Sequence, residues 1–238
     1  MNNINEDKFK INYKNLANGF DLLKTIPDEE IKVVFFDPQY RGILDKMSYG
    51  NEGENRGKDR SSLPQMDNDT IKKFLNETDR ILAPNGYLFL WVDKFSVASG
   101  EVAEWLKETP KIKIVDLLVW NKMKLGMGYR TRNINEWLVI IQKKPQQAKS
   151  TWIDHSIPNN WAEKIETKNH THSKPVELQK RLIEATTEKN DVIVDFCAGG
   201  YSVLEACKRS GRRFYGCDIV FGEKQKTKDK EDKTLWVK

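Results

Sequence analysis

The sequence predicts an α/β fold, a seven-stranded and mostly parallel sheet with helices on both faces. Three observations carry that prediction. Seven apolar runs of strand length recur along the 238 residues, and amphipathic stretches lie between them. Several runs are also apolar at consecutive positions, which marks strands buried on both faces of a parallel sheet.

The strand-like runs are residues 9–13, 31–36, 86–92, 112–120, 136–142, 191–195 and 213–217. Helical spacing appears first in 69–82, where Ile71, Phe74, Leu75, Ile81 and Leu82 fall near one stripe and Asn68, Asp69 or Thr70 can cap the start. Residues 96–107 and 175–187 have the same character, with Pro175 suited to a first helical turn. Residues 201–210 read as the helix after the 191–195 strand. Two stretches resist the scheme. Residues 41–66 form a polar segment of 26 residues, too long for an ordinary connection and typical of a lid or binding loop. Residues 143–171 place Trp152, Pro158 and Trp161 in a polar connector, which predicts that it packs back onto the body.

A chain of this length builds one core by default, here assigned to residues 1–222, with 223–238 as a charged tail of six lysines against four acidic residues. The amino-terminal MNNINEDKFK has no apolar segment, and no run approaches the ~18 apolar residues of a membrane span. The expectation is a cytoplasmic protein with no membrane partner. Cys197, Cys207 and Cys217 lack C-x-x-C spacing, which points away from zinc and from a disulfide framework. His170 and His172 have no further ligand at a suitable spacing, so no metal is expected. The net charge of +5 agrees with a polyanionic partner.

Two loops carry chemistry. Asp37-Pro38-Gln39-Tyr40 closes the 31–36 strand; alone, Asp-Pro-x-Tyr signals only a turn. Far downstream, Val192-Ile-Val-Asp-Phe-Cys-Ala-Gly-Gly200 reads as a buried strand, a loop of small residues and a helix start. Such a loop lets a ligand approach unpaired N–H donors. Asp218 follows Asp195 by 23 residues at the next strand end, the spacing at which nucleoside-binding α/β folds hold ribose hydroxyls. A nicotinamide site would want G-x-G-x-x-G, which is absent. The basic aromatic segment 122–132 suits phosphates and base edges.

Six fragments, in order, resemble one family. Asn18-Gly19-Phe20-Asp21 resembles N-G-D, and Asp37–Tyr40 resembles D-P-P-Y. Trp120-Asn121-Lys122 followed by Glu136-Trp-Leu-Val-Ile resembles its W-x-K and E-x-hydrophobic strands. His170-Thr-His-Ser-Lys-Pro175 resembles H-P-T-E-K-P, residues 195–202 resemble D-P-F-x-G-x-G, and Gly211-Arg-Arg-Phe-Tyr-Gly216 resembles G-R-x-F-x-G. On these motifs the chain resembles the β-group, circularly permuted S-adenosylmethionine-dependent DNA adenine-N6/cytosine-N4 amino-methyltransferases. It departs from them at Gln39, Phe196, Cys197 and Tyr201, and Phe20 shifts the N-G-D acid to Asp21.

The resemblance implies a Rossmann-like methyltransferase sheet opened at a different loop, with the 213–217 strand beside 9–13. It implies a catalytic Asp37, Pro38, Gln39 and Tyr40. Phe36, Lys174, Asp195, Phe196, Cys197, Gly199, Gly200, Asp218 and Ile219 would bind S-adenosylmethionine. Arg41, Lys122, Lys124, Tyr129, Arg130 and Arg132, within recognition loops 41–66 and 122–135, would meet double-stranded DNA. A homodimer and a cognate restriction endonuclease are in keeping with similar proteins. Asp at position 37 resembles the adenine subgroup, so a site-specific adenine-N6 methyltransferase of restriction-modification type is expected. The alternatives are cytosine-N4, RNA or amide-nitrogen methylation, or a non-catalytic nucleic-acid-binding subunit of the same fold.

Overall fold

The computed structural model describes residues 4, 8–38, 66–126, 130–165 and 173–220. Gln39, Tyr40, Arg41, Tyr129, His170, His172 and the 223–238 tail lie outside the described residues, as does nearly all of the 41–66 segment.

Eight strands form one mixed sheet: β1 (Asn15–Leu16), β2 (Ile31–Phe36), β3 (Leu82–Val92), β4 (Ile112–Asn121), β5 (Asn135–Lys143), β6 (Asn160–Ala162), β7 (Val192–Asp195) and β8 (Arg213–Asp218). Their order is β1-β8-β7-β2-β3-β5-β4-β6. Pairing is parallel from β1 through β3, antiparallel where β5 meets β3 and β4, and parallel again between β4 and β6. Among the described residues the helices are α1 (Gly19–Leu23), α2 (Asn68–Ile81), α3 (Lys94–Ala98), α4 (Glu101–Trp105), α5 (Ala148–Thr151), α6 (Val176–Thr186) and α7 (Ser202–Ser210).

The α/β class stands, with eight strands rather than seven. Residues 9–13 are not a strand. Asn12 takes φ 57°, its N–H donates to the Phe214 carbonyl at 2.8 Å, and its side-chain oxygen accepts from the Phe214 N–H at 2.8 Å. One residue thus satisfies both backbone groups of Phe214 on that edge of β8, and β1 pairs with Cys217 and Asp218 a few residues later. The first and last strands are therefore neighbours, as expected. The tryptophan-bearing connector does pack back. Trp152 sits edge-on to Tyr87 and Phe89, and β6 joins the sheet beside β4. The expected helix 96–107 is broken by Gly100 at φ 74° into α3, α4 and a 3₁₀ turn, Leu106–Glu108. The cap of α2 is Asp67, whose carboxylate accepts the Thr70 N–H at 2.8 Å.

Alternation along β2 sends Val33 and Phe35 to the face covered by α6 and α7, and Val34 and Phe36 to the face covered by α1, α2 and α4. Burial on both faces explains the unbroken apolar run. Because β8, β7, β2 and β3 are parallel, their carboxyl ends share one edge, where open α/β sheets bind ligands. No described helix is long and apolar enough to cross a membrane.

Candidate active site

Three adjacent strands end on three carboxylates. Asp37 is the first residue beyond β2, and Pro38, lacking an N–H, suits the end of the ladder there. The register pairs Phe35 with Asp195 and Asp195 with Gly216, so Asp37, Asp195 and Asp218 stand on neighbouring strand ends. They border a cavity of about 300 Å³ that also touches Asn18, Phe20, Phe74, Trp91, Lys174 and Gln179.

Lys174, just before α6, ties the β2 end to β5. Its ammonium lies 3.1 Å from Asp37 and 2.8 Å from Glu136, and 4.9 Å from the Trp91 ring centroid. Glu136 also pairs with Lys122 at 3.3 Å. Burial pulls the Lys174 ammonium down, but Asp37 and Glu136 outweigh it and leave it raised. Burial likewise pushes the Glu136 carboxyl up, and Lys174 and Lys122 outweigh that to hold it at about 2. A carboxyl depressed from 4.5 to about 2 on folding contributes stability above the ordinary value and loses it as pH falls through the window between them. Denaturant titration should therefore show stability falling between those pH values, and falling less in Glu136→Gln.

The glycine loop is held from below. The Asp218 carboxylate accepts the Gly199 N–H at 2.8 Å and the Val220 N–H at 2.9 Å. Asp195 is buried; burial pushes its carboxyl well above the usual range, the Cys197 N–H pulls it back, and the charges of Asp37 and Asp218 push it further up. Burial also pushes the Cys197 thiol well up, which disfavours a thiolate nucleophile. Tyr201 occupies the last-glycine position with φ 56° and ψ 34°, the left-handed region a glycine takes freely. A tyrosine there costs about 1 kcal/mol. Its hydroxyl donates to the Asn15 carbonyl at 2.9 Å and its ring packs on Phe214, so the side chain anchors β1 rather than entering the cavity. Gly19 is required by close approach: a Cβ there would lie 2.7 Å from the Phe196 carbonyl oxygen.

Of the expected ligand-contacting residues, Lys174, Asp195, Phe196, Cys197, Gly199, Gly200, Asp218 and Ile219 all line the cavity, together with Asp37. Phe36 does not. It is fully buried behind the wall against Phe74 and Phe196, and Phe35, on the opposite face, lines the cavity instead. Lys122, Lys124, Arg130 and Arg132 lie outside the lining, on the arm between β4 and β5. That arm extends the ladder through Lys122 N–H to the Ile134 carbonyl at 2.9 Å and Gly126 N–H to the Asn133 carbonyl at 2.8 Å. Among the described residues no His, Cys, Asp and Glu side chains group to hold a metal ion.

Several wall residues escaped sequence reasoning. Phe20 stacks on Phe74 at 3.9 Å and Phe74 on Phe196 at 4.8 Å, building an aromatic wall beside Asn18. The Asn18-Gly19 fragment pointed to the first of these. Phe74, Trp91 and Gln179 carried no signal, since each falls in an apolar or helical pattern.

The sequence matches the N6/N4 methyltransferase family, described as DNA methylase, over residues 31–227. It is 58% identical over 219 residues to the type II methyltransferase M.HhaII of Haemophilus parahaemolyticus, covering 92% of this chain and 96% of that one. Among solved structures, the PvuII DNA methyltransferase (cytosine-N4-specific) superposes with a TM-score of 0.61 at 16% identity, over 86% of this chain and 80% of that one. The M1.HpyAVI–SAM complex gives a TM-score of 0.59 at 17% identity, over 86% of this chain and 91% of that one.

Proposed function

Because the chain belongs to the N6/N4 DNA methylase family, we propose that it methylates the N6 amine of adenine in double-stranded DNA, using S-adenosylmethionine. The observation that carries this reading is the convergence of Asp37, Asp195 and Asp218 on one cavity, with Lys174 as the cation in its described wall. An acidic lining suits a ligand with a sulfonium and an ammonium. When bound, S-adenosylmethionine supplies an electrophilic methyl group. Asp218 is assigned its ribose hydroxyls, Gly199 and Gly200 the close backbone approach, and the Phe20–Phe74 stack a face of its adenine ring.

An exocyclic amine is a weak nucleophile because its lone pair is delocalised into the ring. The Asp37 carboxylate and the Pro38 carbonyl accept its two N–H protons and favour a more tetrahedral nitrogen. Lys174, 3.1 Å from Asp37, fixes the orientation of that carboxylate. The power of the site is then positioning and electrostatics arranged around developing charge. By family resemblance Tyr40 stacks on the extruded base, returning roughly 1–3 kcal/mol of a flipping cost of a few kcal/mol. Cytosine N4 presents the same two protons, and Asp37 favours adenine by resemblance alone. The Haemophilus relative is a type II methyltransferase, and by that likeness a modification role beside a cognate endonuclease is proposed.

The β4–β5 arm is assigned to DNA. Residues 122–134 hold four cations and no acidic residue. Replacing Arg130 and Arg132 with glutamine should weaken duplex binding and flatten the log–log salt dependence by about 2, since each lost phosphate contact releases about 0.9 fewer counterions. An unchanged slope would place recognition elsewhere. The direct test of function is methyl incorporation into duplex DNA from labelled S-adenosylmethionine, lost in Asp37→Ala.

A further inference from the structure

Four side chains of alternating charge run from the end of β2 to the arm between β4 and β5. Lys174 lies 3.1 Å from Asp37, Glu136 lies 2.8 Å from Lys174, and Lys122 lies 3.3 Å from Glu136. The two carboxylate oxygens of Glu136 are divided between the lysines, Oε1 accepting from Lys122 and Oε2 from Lys174. The β4–β5 register explains why they meet. Trp120 stands opposite Glu136, and the Lys122 N–H continues the ladder to the Ile134 carbonyl at 2.9 Å. Lys122 follows Trp120 by two residues and so shares a face of the sheet with Glu136. Leu138, on that face too, pairs with Trp91, whose ring centroid lies 4.9 Å from the Lys174 ammonium. Lys174 and Asp37 line the cavity; Glu136 and Lys122 stand behind them, outside the lining.

The two outer charges decide what Lys174 does at Asp37. A lysine ammonium is a point charge on a flexible stem and takes its place from its partners. Without Glu136 that charge falls wholly on Asp37 and weakens its carboxylate as an acceptor for amine protons. Without Lys122 the Glu136 carboxylate keeps one ammonium instead of two and draws Lys174 away from Asp37. Either change disturbs the acceptor at the reacting centre, where a misplacement of about 1 Å can cost about 100-fold in rate. Lys122 also differs from the other cations of the arm. Its ammonium is turned inward to Glu136 and its side chain is 27% exposed, whereas Lys124, Arg130 and Arg132 are exposed.

Building on the methyl-transfer reading above, we propose that Glu136 and Lys122 are positioning residues for that reaction. Glu136 seats Lys174 against Asp37, Lys122 seats Glu136, and the phosphate contacts of the arm fall to Lys124, Arg130 and Arg132.

Single-turnover methylation of duplex DNA, with DNA and S-adenosylmethionine saturating, reads the step itself. Glu136→Gln should slow it roughly 100-fold. A glutamine has a single acceptor oxygen and sets its NH₂ group against one of the two ammoniums. Lys122→Gln should slow it roughly tenfold, and Lys122→Arg should stay within about threefold of wild type, because a guanidinium still serves a carboxylate. Calorimetry should show S-adenosylmethionine affinity within a few-fold of wild type in all three. The log–log salt slope of DNA binding should be unchanged in Lys122→Gln, whereas loss of a phosphate contact would flatten it by about 0.9. The Lys122 variants decide the matter even if Glu136→Gln fails to fold. A wild-type rate in Lys122→Gln, a Lys122→Arg rate as low as that of Lys122→Gln, or a flattened slope overturns the inference. So does a loss of cofactor affinity as large as the loss of rate. Wild-type protein that transfers no methyl group overturns the methyl-transfer reading; active wild type with an unchanged rate in folded Glu136→Gln overturns this inference alone.

Discussion

Replacing Asp37 with alanine should reduce methyl transfer by roughly 10³-fold or more, while S-adenosylmethionine binding stays within a few-fold of wild type. The asymmetry follows from the proposed division of labour, in which Asp37 meets the target amine and the glycine loop with Asp218 meets the cofactor. The site should survive the change, because Lys174 keeps Glu136 at 2.8 Å when its second partner is lost. Asp37→Asn is the sharper variant. It preserves size but turns half of the acceptor pair into a donor, so turnover should fall nearly as far. Single-turnover methylation beside calorimetry checks both. Near-wild-type turnover in either variant would mean that the amine is held by other groups.

Asp218→Ala should weaken S-adenosylmethionine binding by roughly 100-fold, since hydrogen bonds to a charged group contribute about 1.5–3 kcal/mol each. Two losses add here. The assigned ribose hydroxyls lose their acceptor, and the Gly199 N–H, held at 2.8 Å, loses the carboxylate that fixes the loop. Duplex DNA binding without cofactor should be unchanged, and saturating cofactor should restore turnover to within a few-fold. Calorimetry and a cofactor titration of initial rates separate these effects. Unchanged affinity would remove Asp218 from the site.

Much of this arrangement was legible because its signals are local. A strand buried on both faces shows as a consecutive apolar run, and β2 appeared with the same bounds, Ile31–Phe36. Asp195 and Asp218 were legible from spacing, because each ends a strand of that kind. What failed depended on tertiary context. Residues 9–13 look extended, but one left-handed asparagine lets residue 12 cap β8 instead. Phe36 and Phe35 are equivalent as letters, and only the sheet face decides that Phe35 borders the cavity. Tyr201 departs from glycine in sequence but not in conformation, since its φ of 56° keeps the loop's turn. Phe74, Trp91 and Gln179 read as ordinary core or helix, because a cavity wall is built from the same periodicity as a core.

Mass spectrometry of nucleosides decides whether the protein transfers a methyl group to the adenine amine in DNA. Unmodified duplex DNA incubated with the protein and S-adenosylmethionine is digested and its nucleosides identified. N6-methyladenine is expected among the products, and is expected to be absent from a parallel reaction with Asp37→Ala. N4-methylcytosine as the main product would contradict the assigned acceptor, and DNA that carries no methylated base would contradict the proposed activity itself.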